Sequence, residues 1–433
     1  MAISFKLKSV DTQKDIDIAV MLYDSSIFTF LRITDKVYKI SSISELTDLI
    51  RNANYAALGT GANFETLVGL LTTSTSALNK TARKLDFYNN FLLDLAHYNF
   101  NIVLINCSTT PETYLAEAFS KYDIKAIVFD PLTPTFSAQV KTFFEEKKVP
   151  ICFNALSETN NPGGGINSVY ETSYTETGNI GHTFAFDNMK KRTSITGNSL
   201  NYITFTVGGI KRVKRFYESD FNPTFPVNAP FVILPMLSDG VGCLSRSLSS
   251  YPWFTPAGFE RGKMLNQTFS TDQSGIPLEL VIPETPSSFT SSTNTEISTS
   301  YTKRVNSFLK ITDDTGNKSI YLFSDFSGEP SDDLPIKTSI SYASLLNYIN
   351  FESYAILSNA LFEINDEFLR ANVKNRFESV LQQIKANQGL EEYRVVCDAS
   401  NNTIDDINNR KLNVEVSIKP SQSINFVELS FTT

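Results

Sequence analysis

Between about residues 80 and 156 the chain alternates helix-like and strand-like segments, and this alternation restricts the fold more than any other feature. Leu85, Tyr88, Leu92 and Leu95 fall on one helical face. Asn101 to Cys107 (NIVLINC) is a near-continuous apolar strand running into Thr110-Pro111-Glu112, a helix start with proline in its first turn. The helix to Tyr122 feeds a second strand, Ile124 to Asp130, and a third cycle follows, with Pro134 to Lys148 as helix and Val149 to Leu156 as strand. Short apolar strands joined through helices require a parallel sheet covered on both faces, with right-handed crossovers. The predicted fold class is an α/β core with a mostly parallel sheet flanked by helices.

From Ser157 to Ser199 the composition shifts to Asn, Gly, Ser and Thr, including Asn161-Pro162-Gly163-Gly164-Gly165, which predicts a long loop or hairpin excursion. Strand-like runs return at Tyr202 to Val207 and Pro230 to Leu237, and Asp239-Gly240 opens a helix toward Tyr251, so the sheet is expected to continue to about residue 240. Thr285 to Ser300 (TPSSFTSSTNTEISTS) holds too little apolar area to order itself and marks a boundary. An α+β unit follows. Tyr342, Leu345, Leu346 and Ile349 share the face of one helix, and Asn365 is the expected N-cap of the next. That second helix has Asp366 and Glu367 in its first turn, an apolar stripe of Leu369, Val373, Phe377, Val380, Leu381 and Ile384, and Gly389 as its stop. Strands are predicted at Tyr393 to Asp398 and at Leu412, Val414, Val416 and Ile418, closed by Pro420.

Both ends are strand-like. Ile3, Phe5 and Leu7 alternate with Ser4, Lys6 and Lys8, while the last residues carry Ile424, Phe426, Val427, Leu429 and Phe431, the final three alternating with Glu428 and Ser430. Such a strand either docks as an edge on its own domain or completes the sheet of a neighbour. The expected organisation is an N-terminal arm (1–25), an α/β core (26–284, with the excursion at 157–200), a variable Ser/Thr-rich region (285–338), a C-terminal domain (339–421) and a C-terminal arm (422–433).

Chemistry-bearing motifs are sparse. There are two histidines, His97 and His182, and no HExxH, HxxEH, GxSxG or GKS/GKT pattern, so a Ser-His-Asp triad would have to use one of the two. His97 sits at the end of an amphipathic helix, where a cation complements the helix dipole, and His182 in the Gly/Thr-rich stretch; both are expected to be structural. Gly59-Thr60-Gly61-Ala62-Asn63-Phe64 lacks the third glycine of a dinucleotide-binding turn and reads as a tight turn before a helix. Gly163 to Gly165 has no lysine nearby to meet a phosphate. Asp313-Asp314, Asp332-Asp333 and Asp405-Asp406 read as solvated turns, with weak calcium sites as the alternative. No cofactor is expected.

The formal charge of −8, from 38 basic and 46 acidic side chains, comes without a long basic run, which argues against direct nucleic-acid binding. Lys211-Arg212-Val213-Lys214-Arg215 reads as a solvated strand edge or protein interface. The apolar runs fall short of the roughly 20 residues a membrane span needs, so no membrane insertion is expected. Met1-Ala2-Ile3-Ser4-Phe5-Lys6 lacks the basic cap and apolar block of a secretory signal, and the chain is expected to stay inside a cell. Cys107, Cys152, Cys243 and Cys397 are scattered singly and read as buried free thiols.

Leu237-Ser238-Asp239-Gly240-Val241-Gly242-Cys243-Leu244-Ser245-Arg246 followed by Tyr251-Pro252-Trp253-Phe254-Thr255-Pro256-Ala257-Gly258-Phe259-Glu260-Arg261-Gly262 is one of two segments that resemble the contractile tail sheath family of phages and related injection machines. It is similar to the family's strand, Arg-bearing helix and aromatic-Pro-Ala-Gly turn, in which Trp253 either anchors the turn in its own subunit or faces a neighbour. The other comprises Phe362-Glu363-Ile364-Asn365-Asp366, the helix to Gly389, Tyr393-Arg394-Val395-Val396-Cys397-Asp398, Asn401-Asn402-Thr403 and Ile418-Lys419-Pro420. The resemblance covers about 80–262 and 340–433; between Asn266 and Lys337 the family's patterns are echoed only around Asn306 and Phe323-Ser324-Asp325.

The resemblance implies a structural subunit rather than an enzyme. It would polymerise helically with itself around an inner tail tube protein and contract to drive the tube through the host envelope during genome delivery. Ile3, Phe5 and Leu7 would form the N-terminal intersubunit arm, and Ile424, Phe426, Val427, Leu429 and Phe431 the C-terminal one. Because the family meets its tube chiefly through the C-terminal domain, Lys374, Arg376, Glu378 and Lys385 are candidates for that side. Baseplate and tail terminator proteins are further implied partners, and the implied location is the virion after assembly in the host cytoplasm. The alternatives are an α/β hydrolase-like enzyme, a two-lobed ligand-binding protein or, within the family, the sheath of a secretion system or bacteriocin.

Overall fold

The computed structural model describes residues 16–71, 76–98, 100–132, 140, 142–143, 151–155, 204–208, 210–214, 231–264, 304–312, 318–328 and 339–421. In chain order the described elements begin with β1 (Asp17–Leu22), α1 (Ser25–Phe30), β2 (Val37–Ile40), α2 (Ile43–Arg51), α3 (Phe64–Gly69) and α4 (Ala77–Ala96). Next come β3 (Asn101–Asn106), α5 (Pro111–Lys121), β4 (Ile124–Phe129), β5 (Ile151–Ala155), β6 (Thr204–Gly208), β7 (Ile210–Lys214) and β8 (Phe231–Pro235). The remainder are α6 (Leu237–Ser250), α7 (Gly258–Arg261), β9 (Asn306–Thr312), β10 (Lys318–Leu322), α8 (Ile340–Ser358), α9 (Glu367–Ala386), β11 (Leu390–Val396), α10 (Ile404–Asn408) and β12 (Glu415–Pro420).

Eight strands form the main sheet in the order β10-β9-β6-β5-β4-β1-β3-β2. The interior pairings from β9 through β3 are parallel, whereas β2 and β10 run antiparallel to their neighbours at the two edges. This is the predicted α/β class with a mostly parallel sheet. It corrects three boundaries, however.

The N-terminal arm does not extend to residue 25, because β1 lies between β3 and β4 and is buried along its whole length. A strand covered on both faces needs a continuous apolar run, which Ile18-Ala19-Val20-Met21-Leu22 supplies. Part of the 285–338 region belongs to the main sheet, because β9 pairs with β6 and β10 with β9. Asn306 pins that junction: its amide donates to the carbonyls of Thr206 (3.1 Å) and Phe326 (2.7 Å), and its side-chain oxygen accepts from the Phe326 N–H. Finally, the strand around residues 231–235 does not extend the main sheet. β8 pairs antiparallel with β7 in a separate two-stranded ribbon.

α4 is more deeply buried than one apolar stripe requires. Leu85, Tyr88, Leu92 and Leu95 are in the core, but so are Asp86, Asn89, Asn90 and Asp94 on other faces. His97 caps this helix, with Nδ1 2.7 Å from the Leu93 carbonyl oxygen. Gly59 and Gly61 turn the chain at positive φ before Asn63, which forms a capping box with Thr66 at the start of α3.

The C-terminal helices α8 and α9 pack with the antiparallel pair β11–β12 around a second hydrophobic cluster of Leu345, Ile349, Ile356, Val373, Phe377, Leu381 and Ile384. Asp366, not Asn365, is the N-cap of α9, accepting from the Leu369 N–H at 2.7 Å. Asn365 instead donates its side-chain amide to the Lys411 carbonyl. The helix stop is likewise displaced by one residue. Gln388 takes the left-handed conformation (φ 64°), and the N–H groups of Gln388 and Gly389 close back on Lys385 and Ile384 in a Schellman arrangement. β12 starts at Glu415, so Leu412 and Val414 precede the strand.

Ile3, Phe5, Leu7, Ile424, Phe426, Val427, Leu429 and Phe431 lie outside the described residues. So do His182, Gly163 to Gly165, the Ser/Thr-rich stretch 285–300 and the Asp313-Asp314 and Asp332-Asp333 pairs.

Candidate functional site

Asp405 and Asp406 occupy the first turn of α10, where Thr403 and Asp406 make a reciprocal capping box. Among the described residues no group of three or more His, Cys, Asp or Glu is placed to hold a metal ion, and no described helix is long and apolar enough to cross a membrane. All four cysteines are buried and free. Burial pushes the Cys243 thiol up to about 12, against the pull of Arg246, and also raises those of Cys107, Cys152 and Cys397.

Among the described residues, buried charge gathers in one cluster. Lys211 on β7 places its Nζ 2.7 Å from Asp94 and 2.8 Å from Asp239, and all three side chains are at most 1% exposed. Ser238 donates to Asp94 and Tyr98 donates to Asp239. Burial pulls the Lys211 ammonium toward neutrality, but Asp239 and Asp94 outweigh it and raise its pKa. Burial also raises the pKa of Asp239, with the charge of Asp94 acting the same way and Lys211 opposing both. Lys211 is therefore no solvated strand edge. Its partners lie on α4 and at the start of α6, where no local pattern announces them, and the cluster ties the β7–β8 ribbon to both helices.

Exposed apolar surface concentrates where α8 ends and α9 begins. Phe351, Tyr354, Leu361, Phe362, Ile364 and Phe368 are exposed, and Phe362 is fully so at 104%. Phe362 also adopts φ 69°, a left-handed conformation uncommon for a bulky residue. With Leu357, which is also exposed, seven large apolar side chains in one stretch are the kind of surface that marks an interaction site. Sequence reading passed over this ridge because helical periodicity explains Leu345 and Ile349, while Phe351 and Tyr354 sit off that stripe. The signal was the concentration of aromatics there without a buried role.

The candidate tube-facing residues do not share one face of α9. At about 100° per residue, Lys374, Glu378 and Lys385 line one flank, with a 4.0 Å ion pair between the first two, and Arg376 projects from the other. β11 and β12 pair only with each other among the described residues, leaving an outer edge on each strand.

Residues 334–432 match the family model of the phage tail sheath C-terminal domain. The chain is 27% identical over 206 residues to the tail sheath protein of Enterobacteria phage T4, covering 46% of this chain and 27% of that protein. It is 35% identical over 104 residues to the tail sheath protein of Vibrio phage KVP40, covering 22% of this chain and 16% of that one. The matches thus span less than a third of either relative. Two solved structures share the fold across most of the chain at 12% identity. One is the baseplate of the anti-feeding prophage (TM-score 0.53, covering 98% of this chain and 94% of that one). The other is the contracted PVC sheath complex of an extracellular contractile injection system (TM-score 0.57, covering 96% and 91%). Both of these relatives are tail sheath proteins.

Proposed function

We propose, from the match of residues 334–432 to the phage tail sheath C-terminal domain family, that this chain is the repeating subunit of a contractile tail sheath. The carrying observation is that the family match falls on a domain presenting both the α8–α9 apolar ridge and a two-stranded sheet whose outer edges pair with no other described strand. A bare strand edge and a bare terminal strand each leave backbone groups unpaired, and joining them across copies satisfies both. Residues 3–7 and 427–431 have the alternating pattern for such donation. Contacts of this kind are heterologous and, where they do not close, build helical filaments.

In this reading the sheath assembles extended around an inner tube and shortens as subunit bodies reorient while strand pairings persist. The driving energy is the difference between two packings of the same copies, so no nucleotide enters the step. The tube lies against the C-terminal domain, with Lys374, Glu378 and Lys385 on the α9 flank as the re-makeable polar contacts and Arg376 outside that set. The baseplate and a tail terminator bound the polymer, which is assembled in the host cytoplasm and serves in the virion for genome delivery. Both named sequence relatives are phage proteins, which supports a phage tail over a secretion apparatus.

Electron microscopy of the purified full-length chain is expected to reveal tubes that form above a threshold concentration. Deleting residues 422–433 should leave a folded, non-polymerising monomer. Normal tubes after that deletion would sink the strand-donation model, and a strictly monomeric full-length chain would sink the sheath reading itself.

A further inference from the structure

The Tyr251 to Gly262 turn is bolted to the main-sheet body. The Arg246 guanidinium of α6 donates to the carbonyls of Arg261 (2.7 Å) and Lys263, and the Arg261 Nε donates to the Thr255 carbonyl. The Leu322 N–H at the end of β10 donates to the Gly262 carbonyl at 2.7 Å. From this fixed turn one residue reaches into the other body. Trp253 stacks on Tyr251 (centroids 5.2 Å apart, planes at 16°) and meets Tyr348 of α8 edge to face (5.6 Å, 69°). Its indole N–H donates to the Asn387 carbonyl at the C-cap of α9, at 2.8 Å.

Gly389 confirms how close the fit is. Its φ is not in the left-handed region, which Gln388 already occupies, so a helix stop does not explain the glycine. A Cβ there would come within 2.9 Å of the Trp253 ring and 2.5 Å of the Ile384 Cγ2. The glycine leaves room for the indole.

The other prominent connection between the bodies is α8. Asp325 clamps its first turn by accepting from Ser339 and Ser341, and its Ile340 and Ala343 belong to the main core, whereas Leu345, Ile349 and Ile356 belong to the second cluster. A single helix joining two cores fixes their separation and leaves rotation about its axis as the soft coordinate. A wedge seated off that axis, touching both helices of the second body, removes the coordinate.

We infer that Trp253 is an interdomain clasp that fixes the angle between the main-sheet body and the C-terminal domain, so that the two reorient as one. This inference does not rest on the sheath reading. If that reading holds, the clasp carries torque between strand-paired C-terminal domains and the outer bodies.

The test uses the full chain below any polymerisation threshold, with Ser120→Cys on α5 and Gln383→Cys on α9 as exposed spin-label positions. The four native thiols are buried and stay unlabelled. Pulsed electron resonance should give one narrow label-to-label distance. Trp253→Ala is expected to broaden that distribution at least twofold without loss of far-UV circular dichroism, and to split thermal unfolding into two transitions. Trp253→Phe keeps an aromatic wedge without the indole donor and should fold with an intermediate width. An unchanged width in both variants would overturn the inference. So would one-step unfolding of the whole Trp253→Ala chain with an unchanged Trp253→Phe width, since Trp253 would then be ordinary core.

Discussion

Lys211 is the cation between two buried carboxyl groups, to which Ser238 and Tyr98 also donate hydrogen bonds. Removing the cation leaves both carboxylates uncompensated. Lys211→Met should therefore cost about 3–5 kcal/mol, read as a lowered denaturant midpoint. The same cluster predicts a pH dependence. Burial holds the Asp239 pKa above its ordinary value of 3.8, so the folded state binds that proton more tightly than the unfolded state does. The stability contribution of this group must then rise as pH falls through the raised folded value toward 3.8, and decline as pH rises again. Asp239→Asn keeps the shape and lacks the titration. Subtracting its stability profile from that of the unaltered chain should expose this slope, and parallel profiles would show that Asp239 does not titrate differently on folding.

At the scale of elements, α8, the turn after it and α9 separate the demands of folding from those of association. Val373, Phe377, Leu381 and Ile384 face the second cluster, and losing any of them would damage the domain itself. Phe362 and Phe368 touch so little that replacing both by Ser should change monomer stability by no more than about 0.5 kcal/mol each, since surface positions rarely do more. Phe362→Asn should even stabilise the monomer by up to about 1 kcal/mol, because Asn tolerates the left-handed conformation better. If the ridge is an assembly face, the Phe362→Ser, Phe368→Ser chain should raise the threshold concentration for tubes at least tenfold; an unchanged threshold would exclude the ridge from copy-to-copy contact. Elements governed by local pattern were legible from sequence: the strands at 101–106 and 124–129, the proline-started α5 and the stripe of α9 fall where periodicity puts them. Features decided by distant partners were not. β1 resembled an arm only because its neighbours β3 and β4 lie more than 80 residues away, and the Asp94–Lys211 pair spans 117 residues. Gly389 was found for the wrong reason, as a helix stop instead of a seat for Trp253. The ridge escaped because its side chains are exposed among the described residues, and periodicity detects only burial.

For the whole molecule, the proposed strand donation and the inferred rigid coupling would make a joint demand on polymer growth. Each copy in a heterologous filament both gives and receives, so a copy that can only receive ends the row it joins. In the proposed strand donation, a chain lacking residues 422–433 is such a copy for the C-terminal strand, although it keeps residues 3–7. Its described body, from β1 through β12, does not depend on the deleted residues for any pairing among the described strands. It should still accept a donated strand at its own β11–β12 edge, yet offer no C-terminal strand to the next copy. Mixed at about one part in ten with the full-length chain, it should shorten tubes in proportion to its share, as measured by contour length in micrographs. A charge-matched control is available in Glu428→Gln, which alters the segment's charge but keeps its apolar alternation and should leave lengths unchanged. Simple dilution would also shorten tubes, but it would do so equally with an inert protein at the same concentration. If the truncated chain has no more effect than that inert protein, the C-terminal segment is not the element passed between copies, and the filament contacts must lie elsewhere on the surface.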